Sequence, residues 1–64
     1  EIVQRENGQV LAYRLLREEG PDHAKLFTVA VDLNGTMVGE GSGRSKKLAE
    51  QAAAKAAIAT LNQD

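Results

Sequence analysis

The sequence has no cysteine and no tryptophan, and it contains one histidine, one tyrosine and one phenylalanine. Without cysteine the chain has neither disulfides nor thiolate metal sites, and a single histidine does not form a zinc site alone. No apolar run approaches the roughly 20 residues of a membrane helix, and the first residues lack the basic-then-apolar pattern of a signal peptide. We therefore expect a cytoplasmic protein without membrane contacts.

The length of 64 residues is sufficient for one domain only. A domain of this size buries roughly 60% of the surface that its unfolded chain exposes, so we expect a small core. The sequence has no internal repeat, linker or low-complexity segment. Because it begins at Glu1 without a methionine, and within a helical pattern, we expect residues 1–64 to be one domain of a longer protein.

The charges are unevenly distributed along the chain, although the net charge is formally −1. Residues 1–40 hold four Lys or Arg against seven Asp or Glu, whereas residues 41–64 hold four against two. Arg44, Lys46 and Lys47 fall within four positions. Phosphate contacts depend on the local field more than on the total charge, so a basic patch is compatible with this nearly neutral composition.

The order of predicted elements is α-β-β-β-α. Glu1 to Asn7 contains good helix formers and is followed by a glycine, which is typical of the end of a helix, so we predict the tail of a first helix here. The weak alternation from Tyr13 to Arg17 and the clear alternation from Phe27 to Leu33 predict two strands. Asn34-Gly35 favours a two-residue hairpin turn, from which Thr36 to Gly39 returns as an antiparallel strand.

The segment from Ser45 to Asn62 is rich in alanine and lacks glycine and proline, which predicts a long helix with Ser45 as its N-cap. Small side chains recur on one face of this helix, and polar side chains lie on the opposite face. The small set is Ala49, Ala52, Ala53 and Ala56, and the polar set is Lys47, Gln51 and Lys55. The predicted fold is α+β, with a three-stranded antiparallel sheet and two helices packed on one face.

Cations cluster at the start of the last helix, where they are locally unfavourable because the helix dipole places roughly +0.5 charge there. Such a violation favours a functional interpretation, and the free amides of the first turn would bind an anion. The alternative is that Arg44, Lys46 and Lys47 are ordinary solvated residues. A nucleotide-binding P-loop is not supported, because the motif G-x-x-x-x-G-K-[ST] is absent and the hairpin is not a βαβ unit.

No catalytic residue is predicted. Asp22 and His23 follow Gly20-Pro21 and are expected on a surface loop. They are not predicted to form an acid/base pair, because neither a nucleophile nor an oxyanion site can be identified beside them. Tyr13 and Phe27 are expected in the core, which leaves no exposed aromatic ring on which single-stranded bases would stack.

Four segments, in this order, resemble the double-stranded-RNA-binding domain family. They are Tyr13-x-Leu15, Glu19-Gly-Pro-Asp-His23, Phe27-x-Val-x-Val31, and Gly39-x-Gly-x-Gly-Arg-Ser-Lys-Lys-x-Ala49 followed by Ala52-Ala53. The match covers nearly the whole chain, and the ordered set is more specific than any one segment. Residues 18–24 and 45–55 are most similar to the domain at the C-terminal end of bacterial ribonuclease III.

The resemblance implies three regions of contact with double-stranded RNA. The first helix would contact one minor groove, and the loop between the first two strands would enter the next one. The start of the last helix would hold phosphates across the intervening major groove, so that the domain spans about 16 base pairs. The implied RNA-binding residues are Glu1, Gln4, Pro21, Asp22, His23, Ala24, Ser45, Lys46 and Lys47, with Arg44 and Gln51 as weaker additions.

The resemblance also implies how the domain is used. It would position double-stranded RNA for a ribonuclease III endonuclease domain of the parent chain, which is not present within residues 1–64. The parent is expected to be a homodimer that requires magnesium, whereas the isolated domain is expected to be monomeric, without cofactor and without enzymatic activity. Two features depart from the family pattern: Glu50 stands where many members have a lysine, and the initial turn of the first helix is missing. A protein-interaction module of the same fold is the alternative function.

Overall fold

The computed structural model describes residues 2–6 and 8–62, and for residues 2–6 it describes the backbone alone. The elements are β1 (Ile2–Glu6), β2 (Gln9–Glu19), a 3-10 turn (Asp22–Ala24), β3 (Leu26–Leu33), β4 (Thr36–Gly43) and α1 (Lys46–Leu61). The four strands form one antiparallel sheet in the order β1-β2-β3-β4. The predicted α+β class is confirmed, with three antiparallel strands over residues 9–43 followed by the C-terminal helix.

The predicted first helix is wrong where it can be checked. Ile2–Glu6 is a strand that pairs with β2, and Glu6 pairs with Gln9, so that only Asn7-Gly8 connects the two strands. Gly8 has a φ of +78°. β-branched Ile2 and Val3 favour a strand, which is the physical reason for this difference. The ends of this prediction, Glu1 and Asn7, lie outside the described residues.

The second hairpin forms as predicted. Asn34 and Gly35 have φ values of +53° and +86°, as this type of two-residue turn requires. The Asn34 side chain also ties the turn to β2, because its Oδ1 accepts from the Val10 amide at 2.9 Å. The Asn34 amide in turn donates to the Val10 carbonyl at 2.8 Å.

The core lies between α1 and the middle of the sheet. It consists of Val29 and Val31 from β3 together with Ala49, Ala53 and Ala57 from α1. Leu11, Tyr13, Phe27 and Val38 are partly buried and pack against it. The expectation that both aromatic rings belong to the core is therefore confirmed. Of the predicted small face, Ala49 and Ala53 are buried and Ala52 and Ala56 are half-buried, because α1 meets the sheet along an i, i+4, i+8 line.

Glycines 39, 41 and 43 belong to β4, which is longer than the predicted Thr36–Gly39. All three face α1, and a Cβ atom on any of them would collide with the helix backbone. The contacts pair Gly39 with Ala57, Gly41 with Ala53 and Gly43 with Ala49. Glycine is required here because the helix approaches the strand more closely than a side chain allows. This packing fixes where α1 begins relative to the sheet.

Candidate nucleic-acid interface

The loop between β2 and β3 is a short turn that projects from one end of the sheet. Gly20 has a φ of +95°, and a Cβ atom on it would lie 2.5 Å from the carbonyl oxygen of Ala24. The 3-10 turn over Asp22–Ala24 is closed by the Ala24 amide, which donates to the Pro21 carbonyl at 2.9 Å. Pro21, Asp22 and His23 are exposed and Ala24 is half-buried. The backbone is therefore turned tightly while its polar side chains stay available.

An ion pair closes the base of this loop. Lys25 Nζ donates to Glu18 Oε1 at 2.5 Å, and the same ammonium lies 3.9 Å from Asp22 Oδ1. The hydrogen bond from Lys25, together with its positive charge, holds the pKa of Glu18 below its usual value, and the charge of Lys46 lowers it further. Burial acts in the opposite direction, and its effect is larger than that of Lys46. The principal partner of Glu18 is therefore Lys25 of the loop.

The start of α1 has the cap that the sequence predicts. Ser45 is extended, with φ −137° and ψ 163°, and its Oγ accepts from the Leu48 amide at 3.1 Å. The first turn contains no acidic side chain, and Arg44, Lys46 and Lys47 are all exposed. The cations thus stand where the helix dipole already favours an anion. Lys47 and Gln51 lie on the exposed polar face of the helix, as predicted.

The loop and the start of α1 meet at the same end of the molecule. A cleft of about 260 Å³ is lined by Asp22, His23, Ala24, Lys25, Phe27 and Arg44. Lys46 lines a second cleft, of about 160 Å³. The other residues that line it are Tyr13, Leu15, Val29 and Glu50. One end of the domain therefore presents His23, Arg44 and Lys46 together. Glu50 lies beside Lys46, so the departure from the family pattern places an acid next to this cation.

Comparisons with known proteins identify the family of this chain. Residues 1–61 match the family described as "Double-stranded RNA binding motif". The chain belongs to this family. It is also similar to proteins named "Ribonuclease 3": the one from Pelotomaculum thermopropionicum is 55% identical over 58 residues, which is 91% of this chain and 24% of the relative. The one from Anoxybacillus flavithermus is 54% identical over 63 residues, which is 98% of this chain and 26% of the relative.

The domain therefore spans about a quarter of the length of the curated relatives that it matches. A third relative, "Ribonuclease 3" of Carboxydothermus hydrogenoformans, aligns with the whole domain at 47% identity. Among the described residues, no group of three or more His, Asp or Glu side chains is placed to hold a metal ion. Within the same residues, no helix is long and apolar enough to cross a membrane.

Of the three predicted contact regions, the β2–β3 loop and the start of α1 lie together. The third region was predicted on a first helix, and its described part is a strand. The loop residues and the start of α1 share one end of the domain, whereas Gln4 lies in β1 and Glu1 lies outside the described residues. Glu18 and Lys25 are not among the residues predicted from the sequence. No local pattern in the sequence indicates this pair, because Glu18 in β2 and Lys25 after the 3-10 turn meet only when the chain reverses between β2 and β3.

Proposed function

We propose that this domain binds double-stranded RNA by its shape, with the His23 loop in a minor groove and the start of α1 on phosphates across the adjoining major groove. The observation that supports this is the shared cleft, which places the loop residues Asp22 and His23 beside Arg44. A single RNA duplex can then contact the loop and the basic helix start at the same time.

The structure of A-form RNA explains why this arrangement is selective. Its major groove is too narrow for side chains to read the bases, and its shallow minor groove displays 2′-hydroxyl groups. A loop histidine donates to hydroxyls, whereas Lys46, Lys47 and Arg44 interact with phosphates regardless of sequence. Selectivity for RNA over DNA follows from a fixed distance between the two regions, and the close packing of β4 against α1 keeps that distance constant.

The relatives support a role within a larger protein. They are named "Ribonuclease 3", and this domain covers about a quarter of their length. The proposed role is to hold double-stranded RNA for an endonuclease domain of the same parent protein, which would use magnesium and form a homodimer. The binding domain contributes no catalytic group in this proposal. Incubation of residues 1–64 with duplex RNA and magnesium should therefore leave the RNA intact.

The test of RNA binding compares duplex RNA with duplex DNA of the same sequence over a series of salt concentrations. The unmodified domain should prefer RNA. Lys46→Ala/Lys47→Ala should weaken RNA binding and reduce the slope of log K against log salt by about one unit per lysine. Lys55→Ala is the matched control, because Lys55 is an exposed lysine on the same helix, two turns beyond Lys47.

Two results would contradict the proposal. Equal affinity for RNA and DNA duplexes would favour the protein-interaction module instead. A salt slope that is the same in the double variant and in Lys55→Ala would show that Lys46 and Lys47 do not contact phosphates. Circular dichroism of each variant should match the unmodified domain, since both lysines are exposed and neither is part of the core.

A further inference from the structure

Glu18 is an acidic residue at the end of the domain where a polyanion is proposed to bind. General electrostatics predicts that a carboxylate at such a position weakens binding, because it repels phosphate. Yet Glu18 does not stand alone: its Oε1 accepts from Lys25 Nζ at 2.5 Å, and Lys46 acts on it from α1. Its surroundings therefore differ from those of the adjacent Glu19, whose ion pair is with Arg17 at 3.3 Å.

The ion pair of Glu18 spans the base of the β2–β3 loop. Glu18 is opposite Phe27 in the ladder, two residues before Gly20, and Lys25 is the residue that ends the 3-10 turn. The contact therefore joins the strand that enters the loop to the residue that leaves it. The backbone is also closed at this place, because the ladder pairs Glu19 with Leu26 and the Ala24 amide donates to the Pro21 carbonyl. Loss of the ion pair would remove the side-chain contact that links Glu18 to the residue after the 3-10 turn.

A second cation, Lys46 of α1, also acts on the carboxyl group of Glu18. Lys25 belongs to the loop and Lys46 to the first turn of α1, and both lower the pKa of the same carboxyl group. The influence of Lys25 is the larger one and that of Lys46 is the smallest. The direct contact of Glu18 is therefore the one with Lys25, which ties β2 to the residue after the 3-10 turn.

We propose that Glu18 is a positioning residue, which holds Lys25 so that the His23 loop keeps a fixed place relative to the start of α1. This rests on the proposed binding of double-stranded RNA. Repulsion between like charges predicts that removal of the Glu18 carboxylate strengthens the binding of duplex RNA. The positioning role predicts the opposite, a lower affinity for duplex RNA. The selectivity for RNA over DNA falls with it, because the loop is the part that contacts 2′-hydroxyl groups.

The experiment compares Glu18→Gln with Glu19→Gln, which removes the same charge from the next residue. Glu18→Gln should bind duplex RNA about three- to five-fold more weakly than the unmodified domain, the effect of losing one exposed ion pair. Its preference for RNA over DNA should decrease as well, while its salt slope stays the same. Glu19→Gln should bind as tightly as the unmodified domain or more tightly.

A double-variant cycle tests whether Glu18 acts through Lys25. In a Lys25→Gln background the partner is already lost, so a further Glu18→Gln change should no longer weaken RNA binding. If Glu18→Gln binds as tightly as Glu19→Gln, or if its effect persists in the Lys25→Gln background, the positioning role is wrong. Thermal unfolding of each variant separates this role from a loss of stability, which would not change the ratio of RNA to DNA affinity.

A measurement without RNA separates this proposal from the proposed function. Hydrogen exchange at the Ala24 amide, which closes the loop, should be faster in Glu18→Gln and unchanged in Glu19→Gln. Equal exchange in both variants overturns the positioning role, whether or not the domain binds RNA. If exchange at the Ala24 amide is faster in Glu18→Gln alone but the unmodified domain does not prefer duplex RNA, the proposed function is wrong. The role of the Glu18–Lys25 contact in holding the loop is then still supported.

Discussion

Gly41 of β4 lies against the backbone of Ala53 in α1 with no room for a side chain between them. A Cβ atom at residue 41 would overlap the Ala53 amide nitrogen and would also crowd the Cβ of Ala52. Backbone atoms cannot rotate away as a flexible side chain does. The separation of β4 and α1 therefore depends on a hydrogen atom at this position, and so does the place of the helix start relative to the loop.

Gly41→Ala should consequently destabilise the domain. Forcing an added carbon into a close-packed contact typically costs roughly 1–3 kcal/mol, and we expect the upper part of this range because the contact is with backbone. Urea unfolding measures the loss. Gly35→Ala is the control: its Cβ would meet nothing within 4 Å, although its φ of +86° makes the substitution strained by about 1 kcal/mol. A loss in Gly41→Ala no larger than in Gly35→Ala would show that α1 can move away.

The spacing of these glycines could not be interpreted from the sequence alone. Glycine at every second position is typical of a flexible segment, and its role in β4 becomes visible only when α1 is packed on the strand. In contrast, the Asn34-Gly35 turn and the Ser45 cap were predicted correctly, because both depend on backbone conformations within a few residues.

The structure of the N-terminal segment could not be predicted from the residues of that segment alone. Glu1 to Asn7 contains residues that favour helix together with two that favour strand, so its own composition does not decide between them. Pairing with β2 decides it, and that ladder joins residues up to 11 positions apart. The ion pair between Glu18 and Lys25 was missed for the same reason, because it depends on the register of β2 against β3.

The two roles of Ser45, helix cap and proposed phosphate contact, can be separated by substitution. Ser45→Ala removes the hydrogen bond from Leu48 and should cost about 1 kcal/mol of stability. Ser45→Asp keeps a good cap, so its stability should be close to that of the unmodified domain. Its negative charge should nevertheless weaken duplex RNA binding. Urea unfolding and RNA titration of both variants measure the two effects, and undiminished binding by Ser45→Asp would argue against phosphate contact at this position.

The pKa of Glu18 should depend on Lys25. A carboxyl whose pKa is lower in the folded chain than in the unfolded one stabilises the fold above the unfolded pKa, and this contribution is lost as the pH falls through the folded pKa. The Glu18–Lys25 pair should thus be intact at neutral pH and weaken in acid. Lys25→Met removes the donor and the positive charge, so the pKa of Glu18 should rise toward its ordinary value of 4.5. The side-chain carboxyl shift followed by NMR measures it.

Lys55→Met serves as the control for that titration, because Lys55 lies on the exposed face of α1 and is not among the groups that affect Glu18. It should leave the Glu18 midpoint unchanged. Lys46→Met should raise the midpoint by less than Lys25→Met does, since Lys46 is the weaker of the two influences. If Lys25→Met left the midpoint in place, the ion pair would not form in solution.

His23 and Arg44 line the same cleft, but their loss should affect binding in different ways. His23→Ala should weaken duplex RNA binding by about five-fold, the effect of one lost hydrogen bond, and should leave DNA binding nearly unchanged because DNA has no 2′-hydroxyl. Arg44→Ala should weaken RNA and DNA binding alike and reduce the salt slope, because a phosphate contact does not distinguish the two. Titration of each variant with both duplexes at several salt concentrations measures these effects. An equal loss of RNA and DNA affinity in His23→Ala would mean that this side chain does not contact the sugar hydroxyls, and the proposed source of selectivity for RNA would be wrong.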